Sequence, residues 1–177
     1  MVGQVIAGLL ILVGLGWAFG LRSAGDWLRR SLEGYELWLV FLVSSIATAG
    51  SLFFSEIAGF VPCELCWYQR ICMYPLTIIT LLAALANDRR VARYLLPLPL
   101  VGAGISVYHL LVENGVVEQA KACLLSAPGG CATKWINEFG YMTIPTLALT
   151  AFVLLIELLA LAASGSEEDI ATLPAGA

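Results

Sequence analysis

Apolar positions along the chain gather into long blocks separated by short polar links. Residues 3–20 (GQVIAGLLILVGLGWAFG), 36–60, 67–86, 94–112 and 142–163 carry few charges, whereas 21–34, 87–93, 113–141 and 164–177 hold most of them. Each apolar block is close to the roughly 20 residues that a helix needs to cross a hydrocarbon core. The pattern predicts an all-α, polytopic membrane protein with five candidate spans. The first block has no Lys or Arg before Arg22, so it lacks the basic leader of a secretory signal and reads as a helix with an external N-terminus.

Composition agrees. The 177 residues are 60% hydrophobic and 12% charged, with a mean hydropathy of +0.88, against about 45–50% apolar and about 25% charged in soluble domains. The formal charge of −4 comes largely from the acidic tail SGSEEDIATLPAGA. Nothing here makes an electrostatic case for nucleic acid, and that tail is expected to be disordered.

Arginine sets the topology. The links 21–34 and 87–93 hold Arg22, Arg29, Arg30, Arg89, Arg90 and Arg93, six of the nine basic residues. Short cytoplasmic loops accumulate Lys and Arg, so both links are assigned to the cytoplasm of a cell inner membrane. The turn at 61–66 and the loop 113–141 then face outward with Cys63, Cys66, Cys123 and Cys131. Four of five cysteines are thereby expected in the compartment where thiols pair.

The stretch PCELCWYQR at 62–70 places Cys63 and Cys66 three apart at the mouth of a span, with Arg70 a turn beyond Cys66. Residues three and four apart share a helix face. A helix N-terminus and a cationic neighbour favour thiolate over thiol, and thiolate is the attacking species in disulfide exchange. Arg70 is also placed to hold an oxygen of a polar-headed, lipid-soluble acceptor. A structural disulfide beside a snorkelling Arg fits the same motif. A metal site is not expected, because no second close Cys/His pair completes a tetrahedral set. Trp67, Tyr68 and Tyr74 read as interfacial aromatics.

Cys123 and Cys131 flank LLSAPGG, whose Pro128, Gly129 and Gly130 suit a turn. A bridge there closes a small ring and adds little global stability, which favours exchange over stapling. Downstream, TKWINEF (133–139) puts Trp135, Ile136 and Phe139 on one helical face and reads as a short helix lying on the membrane. Two external dithiols suggest a relay from a mobile pair to a membrane-edge pair and on to something in the lipid. With no nucleotide-binding fingerprint after a strand, a quinone, ubiquinone or menaquinone, is the natural acceptor.

At PCELCWYQR, the pair Cys123 and Cys131, and NEFGYMTIPTLAL at 137–149, the chain resembles disulfide-bond formation proteins of the DsbB/BdbC type, with the shorter loop spacing of the BdbC-like branch. The N-terminal helix and basic link over 1–34 and the tail 164–177 come from the apolar and polar pattern and lie outside this likeness. The resemblance implies a four-helix bundle over 35–163. It implies a thiol:quinone oxidoreductase that re-oxidises a thioredoxin-like extracytoplasmic oxidase. Cys123 would form the mixed disulfide with that partner, Cys131 would exchange with Cys63, and Cys66 would face the quinone with Arg70 beside its ring oxygen. The first span has no counterpart in the four-span core. Cys72 belongs to neither pair and is expected to be inert packing. His109, with Glu113 one turn on, is a candidate for the quinone site and for handling protons. It reads equally as a satisfied interfacial histidine. Glu157 is an intramembrane carboxyl without an assigned partner.

The alternative enzyme is a vitamin K epoxide reductase-like quinone or epoxide reductase. That family places its loop cysteines before the C-x-x-C, whereas here the C-x-x-C comes first. A scaffold stapled by two disulfides is the non-enzymatic alternative.

Overall fold

The computed structural model describes Leu32, residues 34–136 and residues 142–171, and is all-helical. The candidate first span at 3–20 lies outside the described residues. Helix α1 (Glu36–Leu52) runs on through a π turn (Phe53–Ile57). It is followed by α2 (Glu64–Ala86), α3 (Val91–Leu95), α4 (Pro97–Glu113), α5 (Lys121–Ser126), a 3₁₀ turn (Gly130–Ala132) and α6 (Ile144–Ala171). Among the described residues, four stretches are long and apolar enough to span a membrane: Glu36–Ile57, Glu64–Ala86, Val91–Glu113 and Ile144–Ser164. At about 1.5 Å per residue, their 21 to 23 residues reach across a core of about 30 Å.

Local chemistry sets the helix ends. Asn87 takes the left-handed conformation at φ 51°, one of the few residues that do so at modest cost. Asp88 N–H then donates to Ala83 O at 3.0 Å and closes α2. Glu36 opens α1, where a carboxylate opposes the positive helix end, and it accepts from Gly34 N–H at 2.9 Å and pairs with Arg89 at 3.9 Å. That ion pair ties the start of α1 to the basic link after α2. Pro97 stands at the first turn of α4, where its missing N–H costs no helical bond.

The spans close into a bundle in which α1 packs on α2 and α6, and α4 packs on α2 and α6. Val40, Leu76, Phe152, Leu155 and Leu159 are fully buried at its centre. Leu42, Ile46, Ile78, Leu82, Leu85 and Val101 point outward, as suits lipid. Gly102 lets the Phe152 ring lie against the α4 backbone: a Cβ there would come within 2.4 Å of the ring. In lipid, apolar burial drives helix association weakly and interhelical hydrogen bonds add about 0.6 kcal/mol each. Thr48–Thr77 at 3.0 Å joins α1 to α2, and Gln69–Ser106 at 3.0 Å joins α2 to α4.

Four local readings need correction. α2 begins at Glu64, ahead of the expected Trp67, so Cys66 lies in its first turn. The loop 113–141 contains an unexpected helix, α5, carrying Cys123, so that within LLSAPGG the turn is confined to Pro128–Gly130. Over 133–136 the expected surface helix is absent. There Thr133 Oγ1 donates to Pro128 O at 3.0 Å and Trp135 stacks on Phe60 at 5.2 Å, which draws the segment back across the bundle mouth. The α6 backbone also stays helical to Ala171, inside the stretch read as a disordered tail.

Candidate redox site

Cys63 caps α2 with extended backbone (φ −73°, ψ 171°) directly after Pro62, and Cys66 sits one turn in. Their sulfurs lie 3.1 Å apart as a dithiol. Cys123 and Cys131 form a disulfide. Cys63, Leu65, Val112, Cys123, Ala127 and Cys131 pack together as a second apolar cluster, distinct from the bundle core. The fold thus brings the four expected cysteines to one end of the molecule, while Cys72 is buried in the bundle core.

Hydrogen bonds hold the loop pair over the C-x-x-C. Ser126 Oγ accepts from Glu64 N–H at 3.1 Å and donates to Cys123 O at 2.9 Å, so α5 is latched to the N-terminus of α2. Cys131 N–H donates to Gln119 Oε1 at 3.0 Å. Gly130, at φ 70°, brings its backbone so close to that amide that a Cβ would fall 2.2 Å from Gln119 Oε1. Under this clasp the loop sulfurs are shut away, with Cys123 3% and Cys131 1% exposed.

His109 joins the two pairs. Its Nε2 is 3.7 Å from Cys63 Sγ and 3.1 Å from Cys131 O, and the ring is buried. The Cys66 thiol and then His109 hydrogen-bond to Cys63, holding its pKa down to about 4 against the upward pull of burial. The stabilised thiolate therefore owes most to its partner cysteine and to a histidine 46 residues away. Arg70 plays another part. Its Nε donates to Ser51 Oγ at 2.9 Å, its Nη2 to Ser51 O at 3.0 Å, and its guanidinium lies 5.1 Å over the Trp67 ring. This buried arginine is anchored to α1 and is not a surface snorkeller.

A cavity at the mouth is lined by Cys63, Cys66, His109, Glu113, Lys134 and Thr143, among others. Its volume of about 20 Å³ admits about one water, far less than a quinone ring. The surrounding chemistry nevertheless suits a polar ring: His109 Nδ1 is buried with no hydrogen-bond partner, and Cys66 is half-exposed beside it. Cys63, Cys66 and His109 also bring three potential metal-ligand atoms within 4.8 Å of one another. Three ligands fall short of a closed structural zinc site, and a metal there would keep the sulfurs from pairing.

Sequence reasoning did not find Ser51, Ser126 or Gln119, small polar residues with no motif around them. Glu157 lies in the α6 span, and its Oε2 is buried with no hydrogen-bond partner.

The family model described as disulfide bond formation protein DsbB matches residues 35–162. Among individual proteins, the disulfide bond formation protein C of Bacillus subtilis is 48% identical over 127 residues, covering 69% of this chain and 86% of that protein. A probable disulfide formation protein of Deinococcus radiodurans is 44% identical over 133 residues, covering 70% and 86%. The probable disulfide formation protein C 1 of Bacillus anthracis is 43% identical over 131 residues, covering 71% and 89%. No solved structure matches the chain significantly.

Proposed function

The chain belongs to the DsbB family of disulfide bond formation proteins, and on that footing we propose that it is a membrane thiol:quinone oxidoreductase. In this reading it re-oxidises a thioredoxin-like extracytoplasmic oxidase and so sustains disulfide formation. The carrying observation is that His109 touches both redox pairs, Cys63 through its sulfur and Cys131 through its carbonyl.

The partner's thiolate attacks Cys123 and releases Cys131 as thiolate. The partner's second thiol then closes its own disulfide and frees Cys123. Cys131 exchanges with the Cys63–Cys66 disulfide, which re-forms the loop bridge and leaves two electrons on the membrane-edge pair. The redox state in the structure, loop pair oxidised and C-x-x-C reduced, is the one that follows this exchange. It is favoured because a stabilised Cys63 thiolate makes the reduced form of the pair more stable. When bound, a quinone takes up two electrons and two protons. Cys66 and His109 line the mouth and would hold it after the mouth opens beyond its present one-water volume, and Arg70 would reach it only by leaving Ser51. The basic residues Arg89, Arg90 and Arg93 follow the opposite end of α2 from Cys63. That supports an extracytoplasmic site in the cytoplasmic membrane.

The test is quinone absorbance with purified protein, a reduced thioredoxin-like partner, and the variants Cys66→Ala and Cys123→Ala. Quinone loss that requires both cysteines is expected. A flat trace from correctly inserted protein refutes the quinone assignment.

A further inference from the structure

Converting Cys63 thiolate and Cys66 thiol into a disulfide releases two electrons and one proton, whereas reducing a quinone to a quinol consumes two of each. One proton per turnover must therefore come through the protein or from water. The acidic side chain that lines the cavity of the sulfurs and that the relay leaves unused is Glu113, the last residue of α4 and one turn beyond His109.

Glu113 is buried. Its Oε2 accepts from Thr143 Oγ1 at 3.0 Å, and Thr143 is itself paired with Thr146 at 3.1 Å. Its Oε1 is buried with no hydrogen-bond partner, as is His109 Nδ1. Two such groups are costly in a low-dielectric site, and residues four apart lie about 5–6 Å from each other on a helix face. Both residues line the cavity that admits about one water, and a water there would satisfy both atoms. The same cavity is lined by Lys134, which is exposed, so it has a route to the aqueous side. The titratable groups around it are Cys63, Cys66, His109, Glu113 and Lys134.

We propose that Glu113 is the proton-delivering residue of this site, passing a proton through one bridging water to His109 Nδ1, with Thr143 fixing the carboxyl in place. This rests on the quinone reading. When the pair oxidises, the Cys63 sulfur facing His109 Nε2 is taken into a disulfide, and in this relay His109 passes a proton toward the acceptor. Glu113 replaces that proton and is reloaded from the aqueous side. Per turnover, one proton from Cys66 and one from this path accompany two electrons, which balances the quinol.

Two measurements on full-length protein test the assignment. The first is an infrared difference spectrum between the dithiol and disulfide states of quinone-free protein, for wild type, Glu113→Gln and Thr143→Val. A carboxyl band that changes with redox state, vanishes in Glu113→Gln and persists in shifted form in Thr143→Val is expected. The second is the rate of quinone reduction in H₂O and D₂O. General acid–base groups contribute about 10²–10⁴-fold, so Glu113→Gln is expected to lose at least about tenfold and to change the solvent isotope effect. A redox-silent carboxyl region, or wild-type rate and isotope effect in Glu113→Gln, overturns the relay. If wild-type protein reduces no quinone, the parent reading fails, and the infrared spectrum still reports whether Glu113 senses the redox state.

Discussion

The Cys63 thiolate gives the sharpest quantitative test. An ordinary cysteine, with a pKa of about 8.5, is only about 0.3% thiolate at pH 6. Cys63, held down to about 4, is about 99% thiolate there, a gain of about 300-fold in the attacking species. Nucleophilicity falls with basicity at a Brønsted slope of about 0.4–0.5, so a drop of about 4.5 units costs about 100-fold per thiolate. The net advantage at pH 6 is only about threefold, and the absolute rate decides little. The shape of the profile decides: Cys63 alkylation should be nearly flat from pH 5 to 8, whereas an ordinary thiol gains about tenfold per unit. The assay is iodoacetamide labelling of protein carrying Cys72→Ala, with the loop bridge intact and the C-x-x-C reduced, read at Cys63 by peptide mass spectrometry. Cys66→Ala removes the dominant hydrogen bond and should restore most of the pH dependence, and His109→Gln should restore a smaller part. Because the folded pKa is lowered, the stabilisation of the reduced fold is full above the ordinary thiol value. It fades as pH falls toward 4. A wild-type profile rising tenfold per unit across pH 5–8 would refute the reasoning.

Three further outcomes follow from the packing. Gly102→Ala drives a methyl into the Phe152 ring and should cost about 1–3 kcal/mol in thermal unfolding in detergent, with Phe152→Leu restoring much of it; an unchanged midpoint contradicts the close approach. Ser126→Ala removes the latch between α5 and α2 at about 1 kcal/mol. It should speed reduction of the Cys123–Cys131 bridge by a small thiol severalfold, and an unchanged rate would mean that α5 is held by other contacts. Arg70→Lys gives up the fork on Ser51 and should lower stability by about 1.5–3 kcal/mol, the range for hydrogen bonds to a charged group; equal midpoints would show that the anchor carries no load.

The four-span core was legible because hydropathy is a one-dimensional signal that survives without knowledge of neighbours. The second span was expected at 36–60 and forms as Glu36–Ile57. The gathering of Cys63, Cys66, Cys123 and Cys131 into one cluster was likewise legible, through their spacing and the lengths of the spans between them. Helix α5 was not, since six residues (KACLLS) are too short for a helical period to declare itself. Arg70 shows a different limit. Spacing along one helix put it under Cys66, but its strongest bonds go to Ser51 on the adjacent helix, 19 residues away. Ser126 and Glu64 are 62 apart, and no local pattern could pair them.

The burial of the loop bridge has a consequence beyond the site. If the loop bridge exchanges with a membrane oxidant as proposed, it is a live terminal, and any stray thiol reaching it would short-circuit the relay. With Cys123 and Cys131 almost wholly covered, α5 acts as the insulation on that terminal. Small thiols meet a closed surface, and on the proposed function a protein partner would have to displace α5 to draw the current. On that reading, selectivity would be set by who can move the cover, not by redox potential alone.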